Sequence, residues 1–308
     1  MATVTRPASS GDLLIDRRFE WARESLAAGD AAGAADLLGQ LLELAPRYAP
    51  AWFLLGEARE QLGDGPGAAA AFESARAADP EDGQGAVVRL ARLGAVAAAP
   101  MPAGYVRALF DGYAPQFDQA LTEGLGYRGP EVLLQAVERA CAGRRFARAL
   151  DLGCGTGLAG VAFQLMCDEL TGVDLSPRML AVADSKGVYN RLVEGDVMQF
   201  AIAESAAERR YDLILAADVF MYFHDLAAFR DIAPLLEPGG LFAFTVETYA
   251  GDGALLRDTL RYAHGEAHVR DALRAAGLTL VSLHAASTRT EKGVPVPGLV
   301  VVARRPSS

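Results

Sequence analysis

Apolar residues recur along this chain with two different rhythms. From Ile15 to Asp82 they stand three and four positions apart, the spacing of helices with one buried face. After Phe146 they collect into short runs bounded by glycine, proline and acidic residues. The first rhythm predicts paired helices through residue 82 and one more over residues 84–97. A break at residues 98–104, with Pro100 and Pro102, reads as a short stiff linker. Beyond it, Phe110, Tyr113 and Phe117 recur at helical spacing in an amphipathic stretch over residues 105–121. The second rhythm predicts a strand that starts at Phe146 and runs into a glycine-rich turn. Further strands follow at residues 170–175, 190–196, 211–218, 241–247, 278–284 and 300–304, and residues 130–141 and 265–276 read as helices. Strands alternating with helices indicate an α/β domain over residues 105–305.

The helical half repeats itself. Trp52, Leu55, Gly56, Ala68, Phe72, Ala75 and Pro80 mark the clearer copy. A shift of 34 residues pairs Gly29-Asp30, Ala34, Leu38, Leu41 and Pro46 with Gly63-Asp64, Ala68, Phe72, Ala75 and Pro80. That period is the length of a tetratricopeptide (TPR) helix pair, and the first copy is the degenerate one, with Ala22 and Ser25 replacing the usual glycine and aromatic. Two such pairs bury too little apolar surface to stand alone. Residues 15–97 are therefore expected to use the 84–97 helix as a cap and to lean on the following domain or on a second copy of the chain, as a homodimer. The module then serves docking or assembly, with a peptide-binding groove for a protein partner as the alternative.

Composition narrows the partners. With 308 residues and 51% hydrophobic content the chain has room for two domains and a proper core. A formal net charge of −10 argues against nucleic acid or an anionic membrane surface, since both are held by clustered Lys and Arg. Residues 1–14 read as a loose N-terminus without the pattern of a secretory leader, and no run approaches about 18 apolar residues, so a cytoplasmic protein is expected. Cys141, Cys154 and Cys167 match no common zinc spacing and are expected as free thiols, with no metal site.

The candidate chemistry gathers at Asp151-Leu152-Gly153-Cys154-Gly155-Thr156-Gly157. Glycines there let the chain turn tightly and let a ligand lie against the backbone, while the N–H groups of the next helix point at it. Gly155, Gly157 and Gly160 satisfy the dinucleotide spacing G-x-G-x-x-G, yet Asp151 stands where it would repel a pyrophosphate. A cationic ligand without phosphate, such as S-adenosylmethionine with its ammonium and sulfonium, suits that carboxylate. The stretch resembles the first motif of the class I S-adenosylmethionine-dependent methyltransferases. Residues 105–118, Tyr-Val-Arg-Ala-Leu-Phe-Asp-Gly-Tyr-Ala-Pro-Gln-Phe-Asp, and Leu125-Gly126-Tyr127-Arg128-Gly129-Pro130 are similar to the bacterial predicted methyltransferases that carry N-terminal TPR repeats. The resemblance implies a Rossmann-like seven-stranded sheet whose last strand is antiparallel, behind a small all-α TPR domain. It also implies S-adenosylmethionine as methyl donor and S-adenosylhomocysteine as product.

Candidate site residues follow in chain order. Tyr113 and Phe117 offer aromatic faces to the sulfonium. Asp151, Gly153, Cys154 and Gly155 form the turn; Asp174, at the tip of the second strand, suits the ribose hydroxyls; Leu175 and Met179 offer apolar surface to ribose and adenine. Asp196 and Val197 resemble the pair that holds the adenine edge, and Asp218 is placed to orient the ammonium or a water. An acceptor that must lose a proton calls for a base near neutrality, for which His264, Tyr222 and His224 are the candidates. Glu247 either binds a cationic acceptor or pairs with an arginine. A small-molecule acceptor is the first expectation. The alternatives are a protein methyltransferase recruiting a polypeptide through the repeats and a non-catalytic scaffold that binds the donor.

Overall fold

Asp30 and Asp64, one repeat apart, cap their helices identically: each side chain accepts a 2.9 Å hydrogen bond from the backbone N–H three residues on, at Gly33 and Gly67. They belong to a computed structural model that describes residues 9–119, 121, 124, 126–141 and 143–307; residues 1–8 and Leu125 of the expected features lie outside these. The chain divides into two compact units, Met1–Gly112 and Tyr113–Ser308. The division falls in the last turn of a helix, beyond the proline-containing stretch at residues 98–104.

The first unit contains α1 (Leu13–Ala27), α2 (Ala31–Leu44), α3 (Ala49–Gln61), α4 (Gly65–Ala78), α5 (Ala86–Arg92) and most of α6 (Ala103–Tyr113). The periodic residues form its core. Phe19, Ala22, Leu38, Leu41 and Leu55 pack in one cluster, and Phe72, Ala75, Ala86 and Leu90 in a second. Gly56 admits the Phe72 ring, since a Cβ there would lie 2.5 Å from it. The expected 84–97 helix is shorter, ending at Arg92 because Gly94 takes a left-handed φ of 71°. Arg89 pairs with Glu57 and Glu60, and Arg92 with Glu60, so α5 is tied to α3. The expected continuous helix over 105–121 is interrupted. It ends at Tyr113, a 3-10 turn spans Ala114–Gln116, and a single turn α7 (Phe117–Gln119) follows; Pro115 removes a backbone donor at the break.

The second unit continues with α8 (Gly129–Ala140), β1 (Phe146–Leu152), α9 (Leu158–Phe163), β2 (Cys167–Asp174), α10 (Pro177–Ser185), β3 (Arg191–Glu194), α11 (Val197–Ala206) and β4 (Tyr211–Ala216). A 3-10 turn at Phe220–Tyr222 leads to α12 (Phe229–Ile232) and β5 (Leu236–Glu247). Then come β6 (Ala254–Leu256), β7 (Tyr262–His264), α13 (Glu266–Ala275), β8 (Thr279–Ala285), β9 (Thr290–Glu291), β10 (Val294–Pro295) and β11 (Gly298–Arg304). Among the described residues seven strands form the main sheet, in the order β3-β2-β1-β4-β5-β11-β8. All neighbours are parallel up to β5, and β11 runs antiparallel to both β5 and β8. This is the Rossmann-like architecture with an antiparallel last strand that the motifs imply.

Alternation along the strands sends side chains to two cores. Leu150, Ile214, Phe242, Phe244 and Val301 meet Phe220 and Phe229 on one face; Ala149, Leu213, Leu215, Val300 and Val302 meet Leu133, Val137 and Phe163 on the other. Phe220 is fully buried at the centre of the first core. The chain steps outward from β1 to β3 and returns beside β1 as β4. Ligands of such sheets bind outside the carboxyl ends of the strands at that reversal. No helix among the described residues is long and apolar enough to cross a membrane.

Candidate functional site

The reversal point carries the glycine turn. Gly153 and Gly155 take left-handed φ values of 63° and 54° that side chains resist, and a Cβ on Gly153 would lie 2.7 Å from Val219. A Cβ built on Gly155 meets nothing within 4 Å, so the backbone there faces open space. The turn is held from β2. Cys154 N–H donates to Val173 O at 3.0 Å, and Gly155 N–H donates to Asp174 Oδ2 at 2.9 Å. The other oxygen, Asp174 Oδ1, accepts from Ser176 N–H at 2.8 Å, while Ser176 Oγ caps α10 by accepting from Met179 N–H at 3.1 Å. Asp174 therefore fixes the turn through both of its carboxylate oxygens.

Asp151 ends β1 with 1% of its surface exposed, and Tyr189 Oη donates to its Oδ2 at 2.7 Å. Burial, eased by that hydrogen bond and reinforced by the nearby Asp174 charge, pushes the Asp151 carboxyl up to about 7. A cation placed beside it would restore its charge. Burial, with Asp151 and Asp174 close by, also lifts the Cys154 thiol well above its ordinary range, which leaves it uncharged and unreactive. Asp196 Oδ1 caps α11, accepting from Met198 and Gln199 N–H at 2.9 and 3.1 Å. Leu175 is half-buried, and Met179 and Val197 are buried.

At the end of β4, Asp218 holds a left-handed φ of 56°. Its Oδ1 accepts from Thr245 Oγ1 at 2.8 Å and Thr288 Oγ1 at 3.2 Å, and the Tyr127 hydroxyl donates to the same carboxylate. Oδ2 lies 3.9 Å from Arg289 Nη1. Arg289 is buried against Glu247 and reaches Glu291 at 3.2 Å, and Glu291 pairs with Arg261. Of the two roles open to Glu247, pairing with an arginine is the one realised.

The three acceptor-side candidates stand around the 3-10 turn after β4. His264, on β7, is fully buried with Nε2 3.0 Å from Phe220 O; a carbonyl only accepts, so Nε2 carries the proton. Burial lowers its pKa to about 4, so the ring is neutral near pH 7. Among the described residues its Nδ1 has no hydrogen-bond partner, and the ring stacks on His268 with centroids 5.6 Å apart. This arrangement props the turn and makes His264 a weak base. His224 and Tyr222 are half-buried on the turn itself, and His224 Nε2 lies 2.9 Å from Asp225 Oδ2.

A surface depression lies elsewhere on this unit. It has a volume of about 460 Å³, is lined by Arg230, Ala233, Ala275, Leu278 and Arg305, and lies at the opposite ends of β5 and β11.

Residues 150–244 match the family model of the methyltransferase domain, and residues 25–92 match that of the tetratricopeptide repeat. Residues 150–244 form a methyltransferase domain. The chain is 30% identical over 154 residues to the malonyl-(acyl-carrier protein) O-methyltransferase of Enterobacter lignolyticus, covering 50% of this chain and 57% of that enzyme. It is 29% identical over 157 residues to the demethylmenaquinone methyltransferase of Chlorobaculum tepidum, covering 49% of this chain and 63% of the relative. The chain thus spans between half and two thirds of the length of these curated relatives. Among solved structures it shares its fold with the cyclase SpnF, with a TM-score of 0.53 at 19% identity, over 69% of this chain and 99% of that one.

Within the methyltransferase domain the structure brings Asp151, Gly153, Cys154, Gly155 and Asp174 together at the turn. Tyr113 and Phe117 belong to the segment whose next residue, Asp118, accepts a hydrogen bond from Thr156 Oγ1 in that turn. Two participants escaped the sequence reading. Tyr189 was not singled out although its ring fills the space left by Gly160 and Gly172, where a Cβ would lie 2.5 and 2.9 Å from it. Asp118 was passed over beside the more conspicuous Phe117. The one sequence signal for Tyr189 is the run of glycines itself, which demands a bulky neighbour without saying which.

Proposed function

We propose that this chain transfers a methyl group from S-adenosylmethionine to a small-molecule acceptor and releases S-adenosylhomocysteine. The observation that carries the reading is the buried Asp151 carboxylate beside the open Gly155 backbone, with Asp174 next to it: a site that favours a cation and disfavours a pyrophosphate. The residues fit the donor. Asp151 answers its positive charge, the Asp174 carboxylate at the tip of β2 suits vicinal ribose hydroxyls, Asp196 and Val197 with Leu175 and Met179 stand where the adenine is expected, and Asp218 orients the amino-acid end through the groups bonded to it. When bound, the donor supplies an electrophilic methyl carbon on its sulfonium. The protein's part is then to hold that carbon in line with the acceptor lone pair and to keep water away, which supplies much of the acceleration. Tyr222 and His224 stand on the acceptor side. His264 acts through the turn it props, since at a pKa of about 4 it is a poor proton acceptor at neutral pH.

Both curated relatives are named for small or carrier-linked acceptors, which supports a small-molecule substrate over a polypeptide. The TPR unit serves docking or assembly in this reading. Its charged side chains on α3 and α5 neutralise one another, Arg89 and Arg92 against Glu57 and Glu60, instead of forming a clamp of one sign.

Calorimetric titration of the full chain tests the donor. S-adenosylmethionine is expected to bind, NAD is not, and Asp174→Ala is expected to lose the binding. Preferential binding of NAD, or no binding of the methyl donor, overturns the reading. Labelled donor with small-molecule acceptors is the next measurement.

A further inference from the structure

Asp118 joins three separate pieces of the second unit, α7, the glycine turn and α10. It lies on the single turn α7, directly after Phe117 and five residues after Tyr113. One carboxylate oxygen accepts from Thr156 Oγ1, in the middle of the glycine turn; the other pairs with Lys186 Nζ at 2.6 Å. Lys186 is the C-cap residue of α10, the helix that begins at the Asp174-Ser176 corner. The cation therefore sits where the helix dipole also favours it. Thr156 is 1% exposed, Lys186 20% and the Asp118 side chain 37%, so the ion pair is partly buried, with its hydroxyl partner in the interior.

Nothing in the donor's chemistry requires Asp118. Both of its oxygens are engaged by protein groups, and it serves neither as a strand-end carboxylate nor as a cap. What it does is fasten the aromatic segment to the two walls of the donor site. We propose that Asp118 is a positioning residue, a latch that holds Tyr113–Gln119 over the glycine turn, and that release of S-adenosyl ligands requires the Asp118–Thr156–Lys186 contacts to open. The inference rests on the donor site proposed above. It adds that ligand residence time is set by a residue outside the donor-binding motif.

The test uses the full chain and two readouts. Without ligand, hydrogen exchange of the Tyr113–Gln119 amides is expected to be about tenfold faster in Asp118→Ala than in the wild type, with an unchanged melting temperature. With ligand, dissociation of labelled S-adenosylmethionine is followed by chase with unlabelled donor. Asp118→Ala is expected to release it roughly tenfold faster, and Lys186→Met and Asp118→Asn roughly threefold faster, the latter keeping an oxygen for Thr156. The double variant Asp118→Ala/Lys186→Met is expected to match Asp118→Ala alone, because the two act through one contact. Added salt speeds release from the wild type and not from Lys186→Met. Unchanged exchange and release rates overturn the latch, as do strictly multiplicative effects of the two substitutions. Faster exchange in a protein that binds no S-adenosylmethionine leaves the fastening intact but overturns both the donor reading and the role in ligand release.

Discussion

The Tyr189 hydroxyl donates a 2.7 Å hydrogen bond to Asp151 in the interior of the domain, and the ring behind that hydroxyl rests where Gly160 and Gly172 have no side chains. The third glycine of the apparent dinucleotide pattern thus has a different task here. It seats a tyrosine that supports a carboxylate, in a turn suited to a cation.

The first prediction concerns donor binding and pH. Asp151 has a carboxyl raised to about 7 in the free protein, mainly by burial, and a cationic ligand binds its ionised form. Affinity for S-adenosylmethionine should therefore rise as pH increases to about 7 and level off above it. At pH 6 it should be roughly tenfold weaker than on the plateau, since about one molecule in ten is then ionised. Tyr189→Phe removes the bond that eases ionisation and should shift the profile to higher pH. Calorimetry between pH 5.5 and 8.5 checks both, and a flat wild-type profile contradicts the argument.

The same group links pH to stability, with a sign that follows from the direction of its shift. Between about pH 4 and 7 the folded protein keeps a proton that the unfolded chain has already released. The Asp151 contribution to stability is therefore full in acid and is lost as pH rises through about 7. Asp151→Asn cannot ionise, and it should gain roughly 1–3 kcal/mol over the wild type at pH 8 while losing donor binding. At pH 4 the two should have similar stability. Urea unfolding at the two pH values separates this outcome from a general packing effect.

Contacts near in sequence were legible, and contacts that close long loops were not. The turn, Asp151 and Asp174 announce themselves because glycine spacing and strand-end carboxylates are local features. Tyr189 and Asp118 each stand 38 residues from the group they hold, Asp151 and Thr156, so no periodicity connects them. The seven strands and the antiparallel last one were implied by family likeness, with alternation alone giving the class of fold. Pro115 and Gly94 are visible in the sequence, yet the amphipathic pattern around them ran on and extended two helices too far. His264 drew notice by residue type, whereas its burial on β7 depends on how the turn after β4 folds back.

Seating Tyr189 predicts a specific coupling. Gly160 lies in α9, where alanine ordinarily improves helix stability, but a Cβ there would meet Tyr189 Cζ and Oη at 2.5 Å. Gly160→Ala should instead destabilise the domain by about 1–3 kcal/mol through overpacking. In the Gly160→Ala/Tyr189→Leu double variant the loss should fall short of the sum of the single losses by more than about 0.5 kcal/mol, the signature of residues in contact. Additive losses would place Tyr189 elsewhere.

Arg289 and Glu247 test how the buried charges at the end of β5 are held together. Both side chains are 4% exposed, and Glu247, Asp218 and Glu291 keep the guanidinium charged despite its burial. Burying two charges costs nearly what their attraction returns, so the pair as a whole contributes little net stability, while a charge left alone is costly. Arg289→Met should therefore destabilise the chain by about 3–5 kcal/mol, because it strands Glu247 at the end of β5 beside Asp218. Arg289→Met/Glu247→Leu should recover a large part of that loss. The recovery should be incomplete, since Glu291 loses its contact with Arg289 in both variants and keeps that with Arg261. Denaturant unfolding of the two single variants and the double variant measures the coupling directly. A double variant no more stable than Arg289→Met would mean that the arginine is needed for something other than neutralising Glu247, and Asp218, 3.9 Å from its Nη1, is then the partner to substitute next.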